Sequence, residues 1–334
     1  WSPAIKFVDM AGANGWENIP ALHENGNEEG VITLDKDSTE ITITLTKTAA
    51  DALKNGALGI GGENARITKV TSAAAVPVTT VVPNETSFPN ATFREFVSDV
   101  CDLDKDGELV PAELAMIKDI NFKKPDPENP DEYQKYTDEK YQKIDDFTGI
   151  EYLTELTYIS IRENAAVRTL DVSACTKLDC IDAGNCENLE TVTVPDSIKK
   201  LYIYYTSVKS VDVSKCTSLE TLFAFNAKLT SLDVSKNTSL KELNISDNNI
   251  AFIDLKGLNA LDTFEADNNS YAISLTEDNK FDLSTLLDVS KFTLDDGQDV
   301  TLKDGVLTVD DGVSEITYTY DTGLDGKTFN GTFK

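Results

Sequence analysis

The sequence predicts an α+β, β-rich protein whose central part is a solenoid, and three observations support this. Residues 240–250 read L-K-E-L-N-I-S-D-N-N-I, the L-x-x-L-x-L-x-x-N-x-L core of a leucine-rich repeat. A second motif, of the type L-D-V-S, recurs in step with it at 170–173, 211–214 and 232–235. The ladder position of the core recurs at spacings of 22, 20, 21, 21 and 21 residues, at Asn164, Cys186, Thr206, Ala227, Asn248 and Asn269. We therefore expect a leucine-rich-repeat solenoid of about six coils over residues 150–272.

Each coil of such a repeat cannot bury its apolar residues alone, so neighbouring coils stack and share one core. The two apolar residues of L-x-L point inward from a short strand, and their neighbours point outward. The Asn side chain lies at an inside corner, where it satisfies backbone groups that have no partner in the sheet. Cys and Thr are small enough for the same corner.

Length and charge narrow the class of protein. A chain of 334 residues exceeds one compact core, and its formal net charge is -28. Such an acidic chain is expected to bind neither nucleic acid nor anionic membranes, because both need a surplus of Lys and Arg. It contains no run of about 18 apolar residues, so no membrane insertion is expected. The sequence begins at Trp1 rather than Met, as expected of a chain whose export signal has been removed. We expect a monomer.

The five cysteines follow no disulfide framework, since their number is odd and their spacing is unpaired. We expect buried thiols that pack as small hydrophobic groups. The alternative is a zinc site at Cys175, Cys180 and Cys186, although the spacing is unusual and no histidine is near.

The N-terminal residues 1–85 predict a β-sandwich-like module, because residues 30–34 and 40–46 alternate in polarity and further strands follow at 57–60 and 65–70. Residues 41–70 are similar to the last half of β-sandwich modules attached to glycan-active proteins of gut Bacteroidetes. That resemblance implies that Trp1 and Trp16 stack on sugar rings. The alternative is that both pack in or near the core of the module. Residues 72–88 contain Pro77 and Pro83, are followed by Pro89, and are interpreted as a linker.

A calcium loop is predicted at residues 102–113, which match D-x-D-x-D-G-x5-E. The motif follows an amphipathic helix at 91–100 and places oxygen ligands in the order that a hard cation needs. Val110 departs from the motif at position 9, and the loop stands alone where such loops usually occur in pairs. The alternative is an acidic turn whose carboxylates are merely solvated. The expected Ca²⁺ ligands are the side chains of Asp102, Asp104, Asp106 and Glu113 and the carbonyl of Glu108.

Residues 86–149 are expected to form a helical cap with this loop and an insertion at 121–143. The insertion is either a solvated segment or a binding tip that presents Tyr133, Tyr136 and Tyr141. Residues 87–97, the acidic loop and residues 144–154 together resemble the lead-in of internalin-like surface leucine-rich-repeat proteins of gut Firmicutes and Bacteroidetes. In that family the helical piece covers the first coil. The resemblance implies secretion or surface display and a role in binding.

The last part, residues 273–334, is predicted to be a small antiparallel β unit. Its clearest element is a hairpin over 299–309 around Asp304 and Gly305. We expect this unit to cap the solenoid, and a second glycan- or wall-binding module is the alternative.

Few features of the sequence indicate catalysis. The single histidine, His23, lies in a polar segment, and no serine stands in a G-x-S-x-G motif. We therefore do not expect an enzyme.

Outward-facing aromatic residues gather on two neighbouring coils. Neighbouring strands lie about 4.8 Å apart, so four rings are predicted to form one patch on the concave sheet. Such a patch is typical of an interaction site, unless the rings only stack on one another or the 121–143 insertion covers them. Acidic residues flank it at Glu242, Glu265 and Asp267. The predicted ligand-binding residues are Tyr202, Tyr204, Phe223 and Phe225, with Tyr158 on the first coil.

These features predict a secreted or cell-surface binding protein that recognises a protein or a glycan through the concave face of its repeats. The alternative is a carbohydrate-binding protein that acts through the N-terminal β module, with the solenoid as a spacer.

Overall fold

The computed structural model describes residues 4–9, 31–33, 58–63, 80–122 and 139–334. The chain divides into two compact units, residues 1–117 and residues 118–334. The strands predicted at 40–46 and 65–70, together with Trp1, Trp16, His23, Tyr133 and Tyr136, lie outside the described residues. Among the residues that are described, no helix is both long and apolar enough to cross a membrane.

The first unit begins with a three-stranded antiparallel sheet of order β2-β1-β3, formed by β1 (Ala4–Asp9), β2 (Val31–Thr33) and β3 (Leu58–Glu63). Strands are thus present in the segments predicted at 30–34 and 57–60, while the β-sandwich assignment and the domain boundaries stay predictions. Helix α1 (Ala91–Val100) is present where it was expected, with Asn90 Oδ1 accepting from Phe93 N as its N-cap. A short helix, α2 (Pro111–Leu114), follows the acidic loop. The role of this segment as a cap stays a prediction.

The second unit is built of short strands, and its core is a parallel β-solenoid. The strands of the solenoid are β4 (Asp119–Asn121), β5 (Tyr158–Ser160), β6 (Thr169–Asp171), β7 (Cys180–Asp182), β8 (Thr191–Thr193), β9 (Lys200–Tyr202), β10 (Thr221–Phe223), β11 (Glu242–Asn244) and β12 (Thr263–Glu265). Seven of them form a parallel sheet of order β12-β11-β10-β9-β7-β5-β4, and β6 and β8 form a second parallel pair.

The register confirms the repeat frame. Residues that align in the sequence repeat also pair across the sheet, for example Leu222 with Leu201 and with Leu243. The strands from β5 to β12 describe about five turns, and the count of six coils stays a prediction. Strand β4 ends at Asn121, the first residue of the predicted insertion, and pairs in parallel with β5.

The ladder residues behave as the repeat requires. Asn248 is buried; its Nδ2 donates to the carbonyls of Ala224 (2.8 Å) and Ile245 (2.9 Å), and its Oδ1 accepts from Ala227 N (3.1 Å) and Leu229 N (2.8 Å). One amide therefore ties two successive turns together through four buried backbone groups. Cys186, Thr206 and Asn269 also donate to buried carbonyls at their own corners.

Tyr141 corrects one prediction. It is neither solvated nor a binding tip, because its side chain is buried and its ring stacks on Phe122 at a centroid distance of 5.0 Å. A proline-rich, charged run before Tyr141 predicts an exposed ring, but Phe122 directly follows β4 and offers a buried aromatic partner.

The C-terminal strands are β13 (Asn269–Tyr271), β14 (Lys280–Asp282), β15 (Phe292–Leu294), β16 (Val300–Lys303), β17 (Val306–Val309), β18 (Ile316–Asp321) and β19 (Thr328–Phe333). They form two small sheets of order β13-β19-β18-β15 and β14-β17-β16. Their contacts with the last turns of the solenoid support the expected capping role: Tyr318 Oη donates to Ala251 O at 2.5 Å, and Leu255 N donates to Thr322 O at 2.7 Å. The predicted hairpin is confirmed, with Asp304 and Gly305 both at positive φ in its turn.

The cysteines are free, and among the described residues they form no cluster that could hold a metal. Burial raises the pKa of Cys101 and Cys186 to about 12 and the pKa of Cys175, Cys180 and Cys216 to about 11.

We expect the native chain to resist iodoacetamide at about pH 8, because the thiolate is the reactive form. Peptide mapping by mass spectrometry should show Cys180, which is only half-buried, reacting first. Rapid alkylation of two or more cysteines in the native chain would contradict this.

Candidate functional site

The predicted aromatic patch is present on the outward face of the parallel sheet. The rings of Tyr204 and Phe225 stack with centroids 4.8 Å apart and an interplanar angle of 3°, and Tyr202 meets Phe223 edge to face at 5.5 Å. All four rings remain half-buried. The rings therefore do stack on one another, as one alternative required, and still present part of their surface to solvent.

A fifth ring, that of Tyr205, joins the other four. It meets Phe225 edge to face at 5.3 Å and Tyr204 at 6.2 Å, and 48% of its surface is exposed. We call Tyr202, Tyr204, Tyr205, Phe223 and Phe225 the aromatic cluster. Its members come from β9, from β10 and from the residues that directly follow these two strands.

The ring of Tyr204 packs over Gly184 and beside Arg162. A Cβ atom built on Gly184 would lie 2.3 Å from Tyr204 Cζ, so the ring occupies the space that any other residue would fill at that position. The Arg162 guanidinium lies 5.7 Å from the centroid of the same ring, a distance typical of a cation–π contact. Burial raises the pKa of Tyr204, and Asp182 adds to this while Arg162 opposes it.

Tyr158 is not part of this cluster. It pairs with Cys180 and through it with Lys200, so it lies two strands away from β9. It also belongs to a different outward row, since Tyr202 and Phe223 continue the row of Asp182. The structure thus separates one of the five predicted ligand-binding residues from the other four.

The backbone at Tyr205 is left-handed, with φ = 51°. Every turn has one residue of this kind at the equivalent position, and the row comprises Glu163, Asn185, Tyr205, Asn226, Asp247 and Asn268. Asn and Asp tolerate this conformation, whereas a bulky side chain in it is unusual. Tyr205 was not among the predicted ligand-binding residues, although alignment of the repeats shows a tyrosine in a row otherwise filled by Asn, Asp and Glu.

A shallow groove of about 360 Å³ opens beside Tyr205. The side chains of Asn185, Glu187 and Asn226 make no hydrogen bond to any other described residue, whereas Lys228 Nζ donates to Ser207 Oγ at 2.9 Å. The groove therefore offers free amide and carboxylate groups next to an exposed ring. Its lining residues are Asn185, Glu187, Tyr205, Thr206, Asn226 and Lys228.

The acidic loop lies in the other unit of the chain. One carboxylate oxygen each from Asp102, Asp104 and Asp106 lies within 4.8 Å of the others. Glu113 is not in this group; its Oε1 accepts from Leu103 N and its Oε2 from Val110 N, both at 3.0 Å.

Burial is the largest cause that raises the pKa of Glu113, and Asp104 and Asp102 raise it further. The remaining predicted ligand is the backbone carbonyl of Glu108. The backbone N–H of the same residue donates to Asp106 Oδ1 at 2.8 Å.

No protein-family model matches the chain, and no curated protein sequence matches it. Among solved structures, the functional domain of InlJ from Listeria monocytogenes, which includes a cysteine ladder, is 20% identical with a TM-score of 0.39 and covers 55% of this chain and 50% of that one. Listeria monocytogenes InlP is 13% identical with a TM-score of 0.23, covering 75% and 97%. Internalin C2 from Listeria monocytogenes str. 4b F2365 is 16% identical with a TM-score of 0.23, covering 58% and 99%. The chain thus spans half the length of the InlJ domain.

These structures resemble the chain only distantly. The assignment of a leucine-rich-repeat solenoid therefore rests on this chain's own parallel register and on the hydrogen bonds of its ladder residues.

Proposed function

We propose that this chain is a binding protein that recognises a partner, protein or glycan, through the aromatic cluster on its parallel sheet. The observation that carries the proposal is Tyr205, a half-exposed aromatic residue in a left-handed backbone position that the neighbouring turns fill with Asn. Residues held in such positions by the surrounding structure concentrate at functional sites. The resemblance of residues 87–97 and 144–154 to bacterial surface proteins supports a location outside the cell.

Folding alone does not account for this tyrosine. Left-handed backbone costs a bulky L-residue roughly 1–2 kcal/mol. The edge-to-face contacts of Tyr205 with Phe225 and Tyr204 return about 0.5–1.5 kcal/mol. The two contributions nearly cancel, so Tyr205 adds little net stability while it exposes apolar surface. A partner that covers the ring would recover the hydrophobic contribution that the free protein lacks.

The chemistry of the groove makes a glycan the first ligand to test. A flat aromatic face suits the apolar face of a pyranose ring. The free side-chain groups of Asn185, Glu187 and Asn226 are donors and acceptors of the kind that orient a hydroxyl-rich ligand. The acidic residues Glu242 and Glu265 on neighbouring strands suit a cationic protein segment instead.

We expect Tyr205→Asn to abolish binding while it changes the free energy of unfolding by less than about 1 kcal/mol, because relief of the backbone offsets the lost ring contacts. The measurement probes the full chain with a glycan array and with a phage-displayed peptide library, and follows each hit by calorimetric titration. Urea unfolding of the same preparations gives the stability of each variant.

Glu163→Asn is the matched control, because Glu163 occupies the equivalent left-handed position two turns away and has no ring. It should keep every hit that the unmodified chain binds. Phe225→Ala removes the ring that stacks on Tyr204 and should lose the same hits as Tyr205→Asn. Hits that survive both Tyr205→Asn and Phe225→Ala would contradict the proposal. If Trp16→Ala then removed them, binding would belong to the N-terminal β module.

A further inference from the structure

We propose that residues 102–113 form a calcium-binding loop, with Asp102, Asp104, Asp106 and Glu113 supplying carboxylates and Glu108 supplying its carbonyl. The site lies in the first unit of the chain and is independent of the aromatic cluster. Three features of the loop support this proposal: a buried carboxylate oxygen without a partner, the spacing of three aspartates, and a backbone bridge that holds the loop.

Asp102 is 6% exposed, and its two carboxylate oxygens are in different situations. Oδ2 accepts a hydrogen bond from Gly107 N at 3.1 Å. Oδ1 is buried and has no hydrogen-bond partner, and it is the one carboxylate oxygen in this condition among the described residues. A buried charged oxygen without a partner is costly. A cation in the loop would supply the missing partner.

The three aspartates are spaced for one ion. Calcium binds oxygen ligands at about 2.3–2.6 Å, so two oxygens on opposite sides of the ion lie roughly 5 Å apart. The oxygens of Asp102, Asp104 and Asp106 lie within 4.8 Å of one another, which fits that limit. Without a cation, three carboxylates at this separation repel each other.

A backbone bridge to Val81 holds this loop, in place of the second calcium loop with which such loops usually pair. Leu109 lies at position 8, and its N and O both hydrogen-bond to Val81, at 2.8 and 2.9 Å. This antiparallel bridge fixes the outgoing end of the loop. Gly107 at position 6 has φ = 81° and takes the sharp turn that the motif needs. A single loop can therefore keep its ligands in place.

Glu113 sets the expected affinity. Its carboxylate accepts from the amides of Leu103 and Val110, so turning toward an ion costs those two hydrogen bonds. Val110 also cannot hold a water at position 9. Both features favour weak binding, and we expect a dissociation constant of about 10⁻⁴–10⁻³ M, the range of extracellular calcium modules.

The test is calorimetric titration of the full chain with calcium chloride, together with thermal unfolding in about 10 mM calcium or in chelator. We expect one site of the stated affinity and a melting temperature that rises with calcium, because an ion that binds only the folded state stabilises it. Magnesium should give a much smaller shift, since it demands a tighter octahedral site.

Two loop variants and one control separate this site from unspecific binding to an acidic chain. Asp102→Asn and Asp106→Ala should each lose the calcium shift; Asp106 is exposed, so Asp106→Ala remains folded. Asp99→Asn removes the same charge from an exposed position in α1 and should keep the full shift. An unmodified chain that does not respond to calcium would overturn the proposal. So would an equal shift in Asp106→Ala and Asp99→Asn, because calcium would then bind elsewhere.

Discussion

Asn248→Leu is expected to lower the free energy of unfolding of the solenoid by about 3 kcal/mol or more. The leucine has a similar size but cannot pair with the backbone. It would leave three buried backbone groups, Ala227 N, Leu229 N and Ala224 O, without their side-chain partner. The carbonyl of Ile245 would keep its hydrogen bond from Asn269 Nδ2. Each buried polar group that loses its partner costs about 1–3 kcal/mol. Urea unfolding followed by far-ultraviolet circular dichroism measures the change.

Asn249→Leu is the matched control, because Asn249 is the next residue and its side chain is exposed. It should change the free energy of unfolding by less than about 0.5 kcal/mol, as surface substitutions usually do. If Asn248→Leu and Asn249→Leu unfold at the same urea concentration, the ladder does not stabilise the solenoid in the way its hydrogen bonds indicate.

The repeat frame could be predicted because its causes are local and periodic. Each strand contributes inward Leu and Ile residues, and the corner residue recurs once per turn. Residues that align between sequence repeats therefore pair between neighbouring strands, as Leu201 and Leu222 do. The outward rows follow from the same frame, which explains why Tyr202, Tyr204, Phe223 and Phe225 meet as expected.

Other features depend on distances that periodicity does not encode. Tyr205 joins the cluster because one residue per turn takes a left-handed backbone, and this swings its ring toward Phe225. Tyr158 faces outward as predicted, but strand β7 lies between it and the first strand of the aromatic cluster. The acidic loop could be read from its motif, whereas the unpartnered state of Asp102 Oδ1 emerges only from packing.

Tyr318→Ala is expected to have the other large effect, a loss of about 3–5 kcal/mol, the range for removing a buried aromatic side chain. The ring is buried and stacks on Phe333 at 4.3 Å and on Phe292 at 4.9 Å. Its hydroxyl donates to Ala251 O, 67 residues earlier in the chain, near the end of the solenoid. Gly331 leaves the room that this ring occupies, since a Cβ there would lie 2.4 Å from Tyr318 Cζ.

Two further variants divide this loss between packing and capping. Tyr318→Phe keeps the ring and leaves Ala251 O unpaired, so it should cost about 1 kcal/mol. Thr319→Ala, at the next and half-exposed position of β18, should cost little.

If the C-terminal sheets cap the solenoid, Tyr318→Ala lowers the stability of the repeats as well, and amides in β11 and β12 exchange faster with solvent. Unchanged exchange in β11 and β12 would mean that the C-terminal unit folds beside the solenoid without closing its end.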